Sequence, residues 1–285
     1  MDTAFSKELS SSPRVEIIEG DAYNSEQLAK LARGLDIIVC CYQGEDQLMT
    51  EGQKLLIDAC ESERVPRYMA NDWSLDFTKL EFGQLPQKDP MKHVKAHVDS
   101  KNFVKGIHVL NGLFFDTFFS PFFEMYDAKT HTFSHYGNPD VGFEGTSYKN
   151  SAQYTARVIL DKNAVGIQRF IGDRKTMPEI AKSFEKVYGV KANVVVKGSV
   201  RDLHDKMTAV RVKHPNEPHQ WLAMFYQYYT VNEQIYVGPY LDNPRYPDVK
   251  PVSWEDFMSG IPLEQLPNVY QNPISERHQK EGKRA

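Results

Sequence analysis

Apolar residues in the first half of the chain switch repeatedly between a strand-like and a helix-like period. Val15 to Ile18 reads as a short strand closed by Glu19-Gly20-Asp21. Asn24 suits a helix N-cap, and Leu28, Leu31, Ala32 and Leu35 follow at i, i+3, i+4 and i+7 with Gly34 at the end. Asp36 to Cys41 is nearly continuous in apolar residues, the pattern of a strand buried on both faces of a parallel sheet. A helix with Leu48, Leu55, Leu56, Ala59 and Cys60 inward comes next, then strands at Arg67–Ala70 and Ile107–Leu110. Strands spaced by helical stretches of about 10–15 residues predict βαβ units and a doubly wound α/β sheet. Between the last two strands, Asp89 and Pro90 open a helix with Met91, Val94 and Val98 as its stripe. At about 100° per residue, Lys95 lies about 60° from the centre of that stripe, while Lys92 and His97 point well away.

The second half is richer in aromatics and more mixed. Phe114, Phe115, Phe118, Phe119, Phe122 and Phe123 crowd together before a Gly/Asn/Pro/Asp-rich stretch from Gly137 to Gly145. Ser151–Leu160 reads as a helix and Gln168–Ile171 as a strand. Thr176-Met-Pro-Glu179 is a capping box for a helix carrying Ile180, Phe184 and Val187. Asn193–Val196 reads as a strand, Ser199–Asp202 opens another helix, and Met224–Tyr229 is helical. The charged tail from Ser275 to Ala285 is expected to fray. These shifts divide the chain into residues 1–125 and 126–285, with parts of 150–175 packing back on the first sheet.

Composition narrows the class. Of 285 residues, 41% are hydrophobic and 25% charged, enough apolar material for a core. Mean hydropathy is -0.53, no apolar run approaches the ~20 residues of a membrane span, and the N-terminus shows no secretory h-region. The expectation is a soluble cytoplasmic protein. A net charge of -4 argues against a phosphate-neutralising nucleic-acid surface. Three cysteines (Cys40, Cys41, Cys60) cannot build a disulfide framework. His131 and His135 have helical spacing but no third ligand follows, so no metal site is expected. The usual hydrolase, P-loop and zinc signatures are absent, as are G-x-G-x-x-G and Tyr-x-x-x-Lys.

Lys95 has two readings. Either it snorkels at the edge of the stripe, or it sits in a cleft as an acid/base or a cofactor-ribose ligand. Ligands of open α/β sheets bind beyond the carboxyl ends of strands. That rule selects Cys41, Tyr42 and Gln43, then Asn71, Asp72 and Trp73, then Asn111 and Gly112. Ordinary loop chemistry is the competing account of all three groups.

Taken in order, Glu19-Gly20-Asp21, Gly34-x-Asp36, Gln53-x-Leu55-Leu56-Ile57-x-Ala59, Val65-Pro-Arg67-Tyr68, Thr155–Asp161 and Glu179–Glu185 resemble the NmrA-like family. That family includes isoflavone reductase-like, atypical short-chain dehydrogenases. The resemblance implies a Rossmann-like parallel sheet, a smaller mixed α/β substrate domain, and an NADP(H)- or NAD(H)-dependent reductase of a small aromatic or heterocyclic metabolite. Lys95 would match the catalytic lysine, with Asn71 and Asp72 orienting the substrate. Asp21, Cys41, Tyr42, Gln43, Ala70, Lys95, Asn111 and Gly112 would hold the cofactor. Trp73, Phe114, Trp221 and Tyr226 would wall the pocket. Ala70-Asn-Asp-Trp-Ser74 replaces the family's Pro-Ser-Glu-Phe-Gly, keeping only the acidic and aromatic positions. A dinucleotide-sensing regulator without turnover and an inactive truncated paralogue are the alternatives. The family opens with a strand, a Gly-rich turn, a helix and a second strand before the segment matched here. Without them, the expectation is unpaired sheet edges, poor solubility and weak NADPH binding.

Overall fold

The computed structural model describes residue 9 and residues 11–270. The tail from Ser275 lies outside the described residues. Two compact units interleave along the chain: residues 1–70 with 93–106, and residues 71–92 with 107–285. Sequence patterning instead put a single boundary at residue 125.

In the first unit, α1 (Ser25–Ala32) is capped by Asn24, whose side chain accepts the Gln27 N–H at 3.1 Å. Leu28 and Ala32 are buried, whereas Leu31, on the helix, and Leu35, beyond the extended C-cap Arg33, are exposed. Strand β1 (Ile38–Val39) pairs in parallel with β2 (Arg67–Met69). Between them a π-helical turn, Leu48–Gly52, runs into α2 (Gln53–Ser62). Leu56, Ile57, Ala59 and Cys60 bury the inner face of α2. On the same helix, the Glu61 carboxylate accepts the backbone N–H groups of Asn102 and Phe103 at 3.1 Å and of Val104 at 2.8 Å. This fixes the turn after α3 (Asp89–Asp99).

The run Val15–Ile18 is not a strand; Val15, Ile17 and Ile18 stay 40–59% exposed in irregular backbone. Apolar β-branched residues favour strands only where a neighbouring strand is there to pair and cover them.

The second unit begins its sheet work where β3 (Lys105–Leu110) pairs in parallel with β8 (Gly166–Arg169), Ile107 opposite Gly166. Strand β4 (Leu113–Phe114) runs parallel to β7 (Gly142–Thr146), which pairs antiparallel with β9 (Asp173–Thr176). A third sheet orders β10 (Asn193–Val196), β6 (Thr132–His135) and β5 (Tyr126–Asp127). After α4 (Phe115–Phe118) and α5 (Tyr148–Leu160), the predicted capping box forms at the head of α6 (Met177–Tyr188), and Ser199 with Asp202 makes a second at the head of α7 (Val200–Lys213). The predicted aromatic helix is α8 (Leu222–Val231), and α9 spans Trp254–Ser259. Trp254 anchors the core, its ring 4.1 Å from Phe115 and 4.8 Å from Phe118.

Candidate functional site

The best-formed site of the second unit grows from the carboxyl end of β3. Asn111 and Gly112 follow that strand, and both donate backbone N–H groups to the Ser74 carbonyl, at 2.8 and 3.2 Å. This stitches the loop after Ala70 alongside the strand end. Asp72 is buried in that loop and spends one carboxylate oxygen on His108 Nδ1, 2.7 Å away on β3. Asp72 is thus a brace holding the loop. Trp73 takes a left-handed φ of +33°, rare for a bulky residue, and its indole N–H donates to Thr155 Oγ1 at 2.8 Å. Strain of this kind persists where the surroundings over-determine it. Asn71 is half-buried. Asn111 is fully buried and donates to Ser151 Oγ at 3.0 Å, while its Oδ1 has no hydrogen-bond partner.

Gly112 has φ +68°, and a Cβ there would lie 2.5 Å from the Glu144 carbonyl oxygen. The close approach of two backbones demands glycine. Beside it opens a cavity of about 370 Å³. Trp73, Phe114, Phe118, Phe123, Tyr226 and Tyr236 supply its walls, and Lys88 and Glu144 its charges. Burial pushes the hydroxyls of Tyr236 and Tyr270, both on the lining, above the ordinary tyrosine value, so both stay protonated. Trp221 is not brought there. It is buried in the core, its N–H donating to the His214 carbonyl at 2.9 Å.

Lys88 and Glu144 escaped sequence reasoning. Lys88 ends a 3₁₀ turn, Pro86–Lys88, where helical periodicity gives no signal. Glu144 sits in β7, inside a Gly-rich stretch that reads as loop.

In the first unit, Met91 (counted with the second), Val94 and Val98 are buried as the stripe requires, and Lys95 lies beside it, 29% exposed and 2.5 Å from Asp99. The expectation that Lys92 points away needs correcting. Its side chain is only 11% exposed, pairs with Asp89 at 2.8 Å, and lies over the Phe82 ring. The segment through Leu80 and Phe82 covers that side of the helix, which periodicity alone cannot foresee. Lys101 pairs with Asp58 at 2.6 Å.

A nicotinamide dinucleotide needs an open strand end and backbone amides for its pyrophosphate. Beyond β1, Cys41 and Gln43 are exposed and Tyr42 half-buried, and Ala70 closes β2 in the interior. Asp21 is exposed, its carboxylate accepting the Tyr23 N–H at 2.9 Å. Gly44 packs against Leu48, where a Cβ would lie 2.9 Å from its side chain. Among the described residues no group of three metal ligands comes together, and no helix is long and apolar enough to cross a membrane.

The family model described as NmrA-like matches residues 3–235. No curated protein sequence gave a match. Among solved structures, one from a set of pinoresinol-lariciresinol and phenylcoumaran benzylic ether reductases superposes with a TM-score of 0.73 at 14% identity, covering 87% of this chain and 82% of that one. A ternary complex of leucoanthocyanidin reductase from Vitis vinifera gives 0.70 at 15% identity, covering 90% and 86%. Isoflavone reductase gives 0.69 at 16% identity, covering 86% and 81%. The fold is therefore the Rossmann-like α/β fold of these proteins.

Proposed function

The chain belongs to the NmrA-like family, and from that premise we propose that it is an NAD(P)H-dependent reductase of a small aromatic metabolite. The observation that carries this reading is the aromatic cavity at the carboxyl end of β3, where ligands of α/β sheets bind. Similar folds hold NADP+ with (+)-pinoresinol in one case and NADPH in leucoanthocyanidin reductase in another.

The cofactor would supply hydride when bound. Asp21, Cys41, Tyr42, Gln43, Ala70, Asn111 and Gly112 are the residues proposed to hold it. Phe114 and Tyr226 flank the substrate ring, and Trp73 is held ready by Thr155. Asp72, bonded to His108, keeps Asn71 and Trp73 in register rather than touching substrate. Lys95 handles the proton. Its ammonium rests on Asp99 at 2.5 Å, one turn along the same helix.

The test is NADPH oxidation against a panel of aromatic carbonyl compounds, beside fluorescence titration of NADPH. Lys95→Met is expected to cut turnover about 10²-fold or more, while Lys105→Met, an exposed cation, leaves it unchanged. NADPH binding with no oxidation of any acceptor would refute the reductase reading and favour a sensor of the dinucleotide.

A further inference from the structure

The cavity of the second unit is bordered by a cation, Lys88, with which no anion among the described residues pairs. Lys88 is 8% exposed and lines the cavity. Its ammonium lies 5.5 Å from the centre of the Tyr226 ring, and among the described residues it has no carboxylate partner and no hydrogen-bond acceptor. The neighbouring acids are committed elsewhere. Asp89 pairs with Lys92 at 2.8 Å and accepts the Gly83 N–H at 2.9 Å. Glu144 turns its carboxylate to the backbone N–H groups of Val237 at 2.6 Å and Gly238 at 3.3 Å. Asp76 serves Thr78, Lys79 and Arg169.

Lysine is almost never buried without a partner, because desolvating an ammonium is costly and a single aromatic face repays little of it. Here the missing partner has a place to stand. The ammonium borders a cavity of about 370 Å³, near the lower end of the usual range for small-molecule sites, ~300–1,000 Å³. The walls are rings, which favour a flat apolar body packed between them. The Glu144 carboxylate is turned to two backbone amides, which leaves Lys88 as the group with a free side for an incoming acceptor.

We propose that this cavity takes an aromatic carboxylate, its ring among Phe114, Phe118, Phe123 and Tyr226 and its carboxylate on Lys88 Nζ. The inference deepens the reductase reading by naming its substrate class, and it rests on that reading only in calling the ligand a substrate. A neutral aromatic of the same shape fills the walls but leaves the ammonium unpaired. Lys88 is therefore the residue that selects for charge.

The test is calorimetric titration of the full chain with 2-naphthoate and with its neutral isostere 2-naphthamide, in the absence of any nicotinamide cofactor. Naphthoate is expected to bind about 10–100-fold tighter than the amide, the loss of one charge-assisted hydrogen bond. Lys88→Met abolishes that preference and Lys88→Arg restores most of it. The melting temperature of Lys88→Met without ligand should equal or exceed that of the unmodified protein, since the change keeps the buried stem and breaks no ion pair or hydrogen bond among the described residues. Equal binding of acid and amide, no binding of either, or naphthoate affinity unchanged in Lys88→Met would each overturn the proposal. Naphthoate binding that depends on Lys88, in a protein that oxidises no NADPH, would uphold it while removing the reductase reading. NADPH-dependent turnover of neutral aromatics, indifferent to Lys88→Met, would do the reverse.

Discussion

The two units bury their apolar surface with different materials. The first packs small and aliphatic side chains, with Leu28, Ala32, Ile57, Ala59, Cys60 and Val94 among them and Tyr68 as its buried ring. The second packs rings on rings: Phe118 meets Phe119 at 80° and Phe119 meets Tyr126 at 84°. Aliphatic chains have many rotamers and settle into gaps, whereas rings are rigid plates that meet edge-to-face. A rigid lining keeps an opening from collapsing, and the described cavity with charged groups lies in the unit built this way. Buried polar groups follow the same division. The first unit buries Gln53 and Arg67, while the second buries the Asp72–His108 pair, Lys88, Asn111 and Glu144. Chemistry gathers where the framework is stiff enough to hold unlike groups at fixed distances.

Truncating each core is the largest test of this contrast. Trp254→Ala should cost about 3–5 kcal/mol, since a fully buried ring leaves a hole that its rigid neighbours cannot fill. Ile57→Val, equally buried in the first unit, should cost about 0.5–1.5 kcal/mol. Urea denaturation reads both. Similar losses for the two variants would mean that the cores do not differ in the way described.

Gly112→Ala comes next, with an expected loss of about 2 kcal/mol or more, from the left-handed backbone and from the Cβ pressed 2.5 Å against the Glu144 carbonyl. The same change should weaken ligand binding in the cavity it lines. A stable variant with unchanged binding would show that the second unit is softer than its rings suggest.

The first unit has its own rigid point at Glu61. Hydrogen bonds from the backbone N–H groups of Val104, Phe103 and Asn102, opposed in part by burial, hold its carboxyl below the ordinary glutamate value of 4.5. A depressed carboxyl stabilises the fold above its unfolded pKa, and that contribution disappears as the pH falls through the folded value. Glu61→Gln should therefore cost about 1–2 kcal/mol at pH 7. The difference from the unmodified protein should shrink as the pH drops below 4.5. A difference that grows in acid would contradict the geometry at this turn.

Local signals account for what the sequence makes legible. Asn24, Thr176 with Glu179, and Ser199 with Asp202 each cap a helix using atoms within a few residues. The parallel strands at Arg67 and Ile107 announce themselves by apolar runs, and the strand-end rule reaches Trp73 and Gly112, which line the cavity with Phe114 and Tyr226. What depends on distant segments is not legible. Lys92 is covered by Leu80 and Phe82, Trp73 reaches Thr155 far along the chain, and Lys88 meets the Tyr226 ring from a distant helix. Trp221 and Tyr226 look alike in sequence, yet one fills the core and the other faces the cavity.

The smallest expected effects come from two similar apolar runs with opposite fates. Val194, Val195 and Val196 are 40–54% exposed yet form β10, because β6 offers parallel partners and the Lys197 N–H reaches the His135 carbonyl at 2.7 Å. Val15, Ile17 and Ile18 are as exposed but have no pairing strand among the described residues. Hydrogen exchange should separate them. Amides of β10 bonded to β6 should be protected, and those of Glu16 to Ile18 should exchange at rates close to those of an open chain. Ile18→Ser should then alter stability by less than about 0.5 kcal/mol, as a surface change with no partner to lose. Protection at Ile17 and Ile18, or a marked loss on Ile18→Ser, would mean that the run does pair in solution. The first unit would then carry a strand that its isolated residues do not reveal.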